Sequence, residues 1–305
     1  MKAFLKKILV FALLLTAVFI LLSFLPFADG FKKNYYFVQS DKLEYLEKTK
    51  SDTAKRIVFI GGSSLTFGLD SKRISDSLNI EVYNTAVHGG LGVDYSIEVL
   101  KKRLNPLRDI LVIGYEFPFV EDPAFYTEAR IIADYLQHKP LCHQLWYNPK
   151  KLKTLVLNTQ LLVTNFIYHI NPYKTGYNDI YRRDGFNKYG DIITHLDTEN
   201  METLGDSVLV KTPSQDFANL IKTELSDFRY YIISPPFRLS DNRYQKQELA
   251  VFNNFMKNNF NEKYILNTSD ASIENRYYFE LPYHLNKDGR QIHTTKIIRA
   301  LQNQF

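Results

Sequence analysis

Arg56-Ile57-Val58-Phe59-Ile60-Gly61-Gly62-Ser63-Ser64-Leu65-Thr66-Phe67-Gly68 is the stretch on which the fold turns. Arg56 to Ile60 is a short, mostly apolar run stopped by two glycines, the pattern of a strand buried on both faces. Downstream the pattern repeats. Ser71 to Leu78 has the cap and spacing of a short helix, Glu81-Val82-Tyr83-Asn84 is a second strand, and Asp94 to Leu104 is helical. Asp109-Ile110-Leu111-Val112-Ile113-Gly114-Tyr115 follows as a third, strongly apolar strand. Tyr230 to Ile233, halted by Pro235-Pro236, and Tyr264 to Leu266 read as two more, with helices expected over Gln245 to Asn258 and Lys287 to Leu301. Apolar strands that alternate with helices pair in parallel and carry helices on both sheet faces. Functional loops in such sheets gather at the carboxyl ends of the strands, here after Ile60, Asn84 and Tyr115.

Residues 118–228 break the alternation and read as an insertion that caps the sheet edge. Within it Thr154 to Ile170 is an apolar helix, too short and interrupted to be read as a membrane span. At the other end of the chain, Ile8 to Phe27 is 20 residues without a charge, enough helix to cross a bilayer core of about 30 Å. Lys2, Lys6 and Lys7 precede it, which places the N-terminus on the cytoplasmic side. The run exceeds a signal-peptide core, and Phe27-Ala28-Asp29 is a poor cleavage sequence, so an uncleaved anchor is favoured over a cleaved signal. The organisation expected is an anchor over residues 1–27, a juxtamembrane spacer over 28–55, and an α/β domain over 56–305.

Charge follows the same division. Five lysines against Asp29 put +4 of the net +5 into the first 33 residues and leave about +1 for the rest. Nucleic-acid binding needs a concentrated positive face, so no nucleic-acid partner is expected. The single cysteine, Cys142, excludes an internal disulfide and a cysteine-rich metal site. His138, His143, His169 and His195 have no ligand spacing, so no metal and no cofactor are expected.

The chemistry is sought at Ser64. A serine on a glycine-supported strand-to-helix turn can present its hydroxyl at the sheet edge, with backbone N–H groups around an incoming oxygen. Taken alone, the same run is also what a plain serine-capped βα loop looks like. Asn84 to Gly92 adds an N–H-rich loop suited to a developing oxyanion. Tyr278 to Asn286 places His284 just before the last helix, where it can serve as general base.

Together these residues resemble the SGNH (GDSL-type) hydrolase superfamily. Gly62-Ser63-Ser64-Leu65-Thr66-Phe67-Gly68 is similar to the family's Gly-Asp-Ser-Leu block with Ser in place of Asp. The resemblance makes Ser64 the nucleophile, Gly89 the second oxyanion donor beside the Ser64 N–H, and His284 in His-Leu-Asn-x-x-Gly the base. It covers most of 56–116 and 229–304 and implies a flavodoxin-like three-layer α/β/α fold with a mostly parallel sheet of about five strands. It is nearest the membrane-anchored branch linked to bacterial surface-polysaccharide and cell-wall acylation. Arg182-Arg183-Asp184-Gly185-Phe186-Asn187-x-Tyr189-Gly190-Asp191 is similar to inserts of that branch, and Arg182, Arg183 and Asp191 are read as an ion-pair cluster. The implied activity is an esterase or O-acyltransferase on acyl, typically acetyl, esters of a surface glycan. The protein would sit in the bacterial inner membrane with its domain exported, its partners being the acylated glycan, the bilayer through residues 8–27, and an acyl-donating membrane protein.

Two positions depart from the family pattern. Glu116 stands where the third block carries an oxyanion asparagine, and Leu281 where the acid normally precedes the histidine by three. Glu280 is the adjacent carboxylate left to steady His284. His88, Glu116 and Asn84 are candidate substrate-binding residues. These departures keep open a second reading, a catalytically impaired relative that binds glycan or assists envelope assembly.

Overall fold

The computed structural model describes residues 1–124, 127, 129–130, 132–133, 152–171, 179–198, 208–238 and 243–305. The chain divides into two compact units, Met1–Phe37 with Thr127–Asp184, and Val38–Tyr126 with Gly185–Phe305.

The first unit holds α1 (Lys2–Ser23) and the short α2 (Asp29–Lys32). Helix α1 is long and apolar enough to cross a membrane, and none of its most apolar window is buried. The second unit opens with α3 (Val38–Lys48), which comes from the stretch expected to be spacer yet buries Lys42, Leu43 and Leu46. There follow β1 (Arg56–Gly61), α4 (Ser63–Gly68), α5 (Ser71–Leu78), β2 (Glu81–Asn84), α6 (Val93–Lys101), β3 (Asp109–Gly114) and α7 (Phe117–Glu121). The chain returns to the first unit for α8 (Leu152–Ile170). The second unit then resumes with α9 (Gln215–Glu224), β4 (Arg229–Ile233), α10 (Arg243–Phe260), β5 (Tyr264–Leu266), α11 (Thr268–Ala271) and α12 (Lys287–Gln302).

The five strands form one sheet in the order β2-β1-β3-β4-β5, every pair parallel. That is the doubly wound order in which the winding reverses between β1 and β3, the place where such sheets bind ligands. The strands are apolar throughout because both faces are covered. On one face Ile57, Phe59, Ile110, Val112, Tyr231 and Ile233 share a core with Ile74 of α5 and Ile297 and Leu301 of α12. The alternate residues Val58, Ile60, Leu111, Ile113 and Ile232 point the other way and are as deeply buried. Helix α6 lies against β1 and is paired with α9. Each such side chain contributes roughly 1.5–3 kcal/mol on burial, so the sheet's alternation alone secures the architecture.

The two ends of the sheet are chemically distinct. At the amino end the neighbouring Arg56 and Asp109 form a buried two-pronged ion pair, Nε to Oδ1 at 3.0 Å and Nη2 to Oδ2 at 3.2 Å. At the carboxyl end the turns after β1, β2 and β3 carry Ser64, His88 with Gly89, and Glu116.

The α/β fold expected from the sequence is thus present, with strand limits within about a residue of those read from the apolar runs. The region leaving the α/β unit is Thr127–Asp184 rather than 118–228, since α9 returns as a layer helix against α6. The apolar helix expected to cap the sheet edge, α8, packs on α1 and α2 of the first unit.

Candidate active site

Strand β1 stops at Gly61, Gly62 is extended, and α4 begins at once, so Ser64 stands in the first turn of a helix. The Gly62 carbonyl accepts the N–H groups of Leu65 and Thr66. The Thr66 hydroxyl donates to Val87 O at 3.0 Å, tying this turn to the loop after β2. First-turn N–H groups have no partner inside their own helix and must find one outside. For Ser64 the partner is Glu116: its N–H donates to Oε1 at 2.6 Å, and the Ser63 hydroxyl donates to the same oxygen at 3.3 Å. Ser64 is fully buried, and its Oγ makes no hydrogen bond in the structure.

Glu116 follows β3 and is 2% exposed. Its Oε2 is buried without a hydrogen-bond partner. The carboxylate packs directly on Gly62, where a β-carbon would lie 2.1 Å from Oε2, so only glycine admits it. Burial, and then the Glu116 charge, hold the Tyr283 hydroxyl well above its ordinary range. A negatively charged oxygen therefore already occupies the Ser64 N–H, the group that the sequence assigns to the oxyanion.

His284 is also buried, and its Nδ1 lies 3.1 Å from Glu280 Oε1. Its ring stacks on Phe67, centroids 4.1 Å apart and planes 8° from parallel. Phe67 is three residues after Ser64 on α4, one turn along the same face, so the stack brings the histidine to the helix that carries the serine. No hydrogen bond joins His284 to Ser64 Oγ in this structure.

His88 Nδ1 accepts the Gly90 N–H at 2.9 Å and so caps the turn Gly89–Leu91. Burial, reinforced by His284, pushes its pKa down to about 4, which keeps the acceptor nitrogen unprotonated near neutrality. Gly89 is buried against Phe119, whose Cε2 lies 2.0 Å from where a β-carbon would be. His195, buried between Phe67 and Phe279, is likewise held neutral: burial first, then Arg290 and His284, bring it down to about 3. His284 thus stands near two histidines that do not share its positive charge.

Asn84 is committed to the fold rather than turned to a ligand. Its amide donates to Leu65 O and Asp191 Oδ1, and its Oδ1 accepts the Ala86 N–H. Asp191, fully buried, also accepts the Ser71 N–H at 2.8 Å, the Ser71 hydroxyl at 2.7 Å and Arg290 Nη2 at 3.3 Å. Burial raises its pKa while Arg290, Ser71 and Asn84 pull it down. The cluster expected of Arg182, Arg183 and Asp191 is therefore drawn differently, with Arg290 as the cation for Asp191 and Arg182 placed 3.5 Å from Asp184.

Lys42 was not singled out by the sequence. Its buried ammonium reaches from α3 to Ala86 O at 2.5 Å and Gly190 O at 2.7 Å, gripping the loops that hold Asn84 and Asp191. Burial pushes its pKa down to about 7, with Asp191 opposing. Among the described residues no group of three or more His, Cys, Asp or Glu is disposed to hold a metal. His138, His143 and Cys142 lie outside the described residues.

No family model matches the chain, and no curated protein matches it. Among solved structures it is similar to a carbohydrate esterase whose active site displays divergent catalytic and non-catalytic binding functions. That alignment covers 82% of this chain and 69% of the other at 11% identity, with a TM-score of 0.36. Similarity at that level carries no argument about the site.

Proposed function

We propose that Ser64 is the nucleophile of an acyl-ester reaction on a cell-surface glycan, in a domain held at the membrane by α1. The observation that carries this reading is the Ser64 N–H, which binds an anionic oxygen at 2.6 Å beside the Ser64 hydroxyl. A backbone donor already bound to a carboxylate oxygen is suited to the oxyanion of a tetrahedral intermediate. In the reaction the acyl oxygen takes the place of Glu116 Oε1, with the Gly89 N–H as second donor. Ser64 Oγ bonds to the acyl carbon while its proton passes to His284 Nε2, and Glu280 on Nδ1 fixes that tautomer. The His284 proton then leaves with the departing sugar oxygen. Water yields hydrolysis, and a second sugar hydroxyl, supplied with donor by a membrane partner, yields transfer.

The test is trapping. A reactive alkyl phosphonate should label the full chain, and Ser64→Ala should abolish the label; label retained in Ser64→Ala removes the assignment.

One observation favours a second reading, a non-catalytic glycan-binding or envelope-assembly protein. Ser64 Oγ is buried and unbonded while Glu116 holds its N–H. Affinity for acetylated glycan equal in wild type and His284→Ala, with no phosphonate label in either, would select it.

A further inference from the structure

Helix α8 carries no charged residue from Thr154 to Tyr168. It packs on α1 and α2 through a buried side that includes Leu161, Leu162, Asn165 and Tyr168. Tyr168 lies 5.3 Å from the Phe31 ring. The other side is the unusual one. Val163, Phe166 and Ile170, spaced three and four apart, form a single stripe that is 46%, 41% and 65% exposed. A helix facing water places polar residues there. This stripe belongs to the same packed unit as α1, which is apolar on every side and unburied.

The junction with α1 gives a second, independent indication. Where α1 ends, the chain breaks at Pro26 and leaves backbone groups without helical partners. Helix α8 supplies them: Asn165 Nδ2 donates to Pro26 O at 3.0 Å, Asn165 Oδ1 accepts the Ala28 N–H at 2.9 Å, and His169 Nε2 lies 2.8 Å from Pro26 O. In lipid every freed backbone group must be satisfied within the protein, whereas in water the solvent does this.

We infer that α8 is a second membrane element, seated in the bilayer that takes α1, with the Val163–Phe166–Ile170 stripe against lipid acyl chains. The inference rests on the proposed reading of α1 as a retained anchor. It goes beyond that reading by making the insertion part of the membrane attachment rather than part of the enzyme.

Site-directed fluorescence on the full chain tests it. In a Cys142→Ser background, single variants Val163→Cys, Phe166→Cys and Ile170→Cys are labelled with a polarity-sensitive dye and reconstituted into phosphatidylcholine vesicles with or without brominated acyl chains. Leu14→Cys in α1 and Leu107→Cys, on an exposed turn of the α/β unit, serve as references. The expected result is blue-shifted emission at the three α8 positions, with loss of intensity in brominated vesicles comparable to position 14. Loss no greater than at position 107, with position 14 still quenched, overturns the proposal and leaves the anchor standing. Quenching at neither α8 nor position 14 overturns the anchor itself, and the proposal with it. Blue-shifted emission that bromine does not quench identifies a covering protein, a second copy or a partner helix, and also overturns it. Three separate positions guard against one variant that misfolds.

Discussion

Glu116→Gln should speed phosphonate modification of Ser64 by about tenfold. Glu116 Oε1 holds the Ser64 N–H at 2.6 Å, and that donor must be released before it can bind a phosphoryl or acyl oxygen. A hydrogen bond to a charged acceptor is worth about 1.5–3 kcal/mol net and a neutral one about 0.5–1.5, so the amide weakens the competitor by about 1–1.5 kcal/mol. At about 1.4 kcal/mol per factor of ten in rate, that is close to tenfold. Gly62→Ala perturbs the same contact from the other side, since its β-carbon would meet Oε2 at 2.1 Å and push the carboxylate away. Its rate should rise as well. The assay is a time course of fluorescent phosphonate incorporation into detergent-solubilised full chain, with Ser64→Ala as blank and thermal unfolding as a check on folding. Folded Glu116→Gln protein that labels at or below the wild-type rate would refute the idea that Glu116 competes for the oxyanion donor.

Three further outcomes follow from the surrounding network. Asp191→Asn leaves the buried Arg290 guanidinium without its counter-charge and should destabilise the α/β unit by about 3–5 kcal/mol, a large share of the roughly 5–15 kcal/mol of a typical domain; an unchanged urea midpoint would contradict it. Lys42 holds its proton less tightly folded, at about 7 against an ordinary 10.5, so the unfolded chain binds more protons between those values and stability should rise with pH across that window. The slope is at most about 1.4 kcal/mol per pH unit for one proton, and Lys42→Met should flatten it in urea titrations; equal slopes in the two proteins would exclude Lys42 as the source. Glu280→Gln should slow Ser64 labelling by about 10²–10⁴, as loss of the group that orients the base does elsewhere, while leaving the urea midpoint near wild type. A labelling rate unaffected by Glu280→Gln would mean that His284 needs no carboxylate.

What the sequence made legible was local. Runs such as Ile57–Ile60 and Ile110–Ile113 announce themselves because a strand covered on both faces has no room for polar residues. Ser64 was legible for a similar reason, as the serine next to a glycine turn that ends such a run. Long-range polar partners were not. Asp191 meets Asn84 and Arg290 across 107 and 99 positions, and nothing in those residue types announces the pairing. Helix α3 looked like a spacer because Asp41-Lys42-Leu43-Glu44 is polar, and the buried end of Lys42 is satisfied only by carbonyls brought from two other loops. Glu116 was visible as a departure from the family pattern, but its bond to the Ser64 N–H belongs to the geometry of β1 beside β3. Helix α8 was readable as apolar, while its attachment to α1 depends on Asn165 reaching Pro26 and Ala28, over 130 residues away in sequence.

The bond between Glu116 and Ser64 also has a meaning for what happens after catalysis. An acyl group hydrolysed at Ser64 ends as a carboxylate, the same chemical shape that Glu116 presents. The freed acid would have to hold the site against a rival attached to the protein, whose effective concentration is in the millimolar range or above. Glu116 would then act as an ejector, returning to the vacated N–H and leaving dissolved acetate little hold on the site.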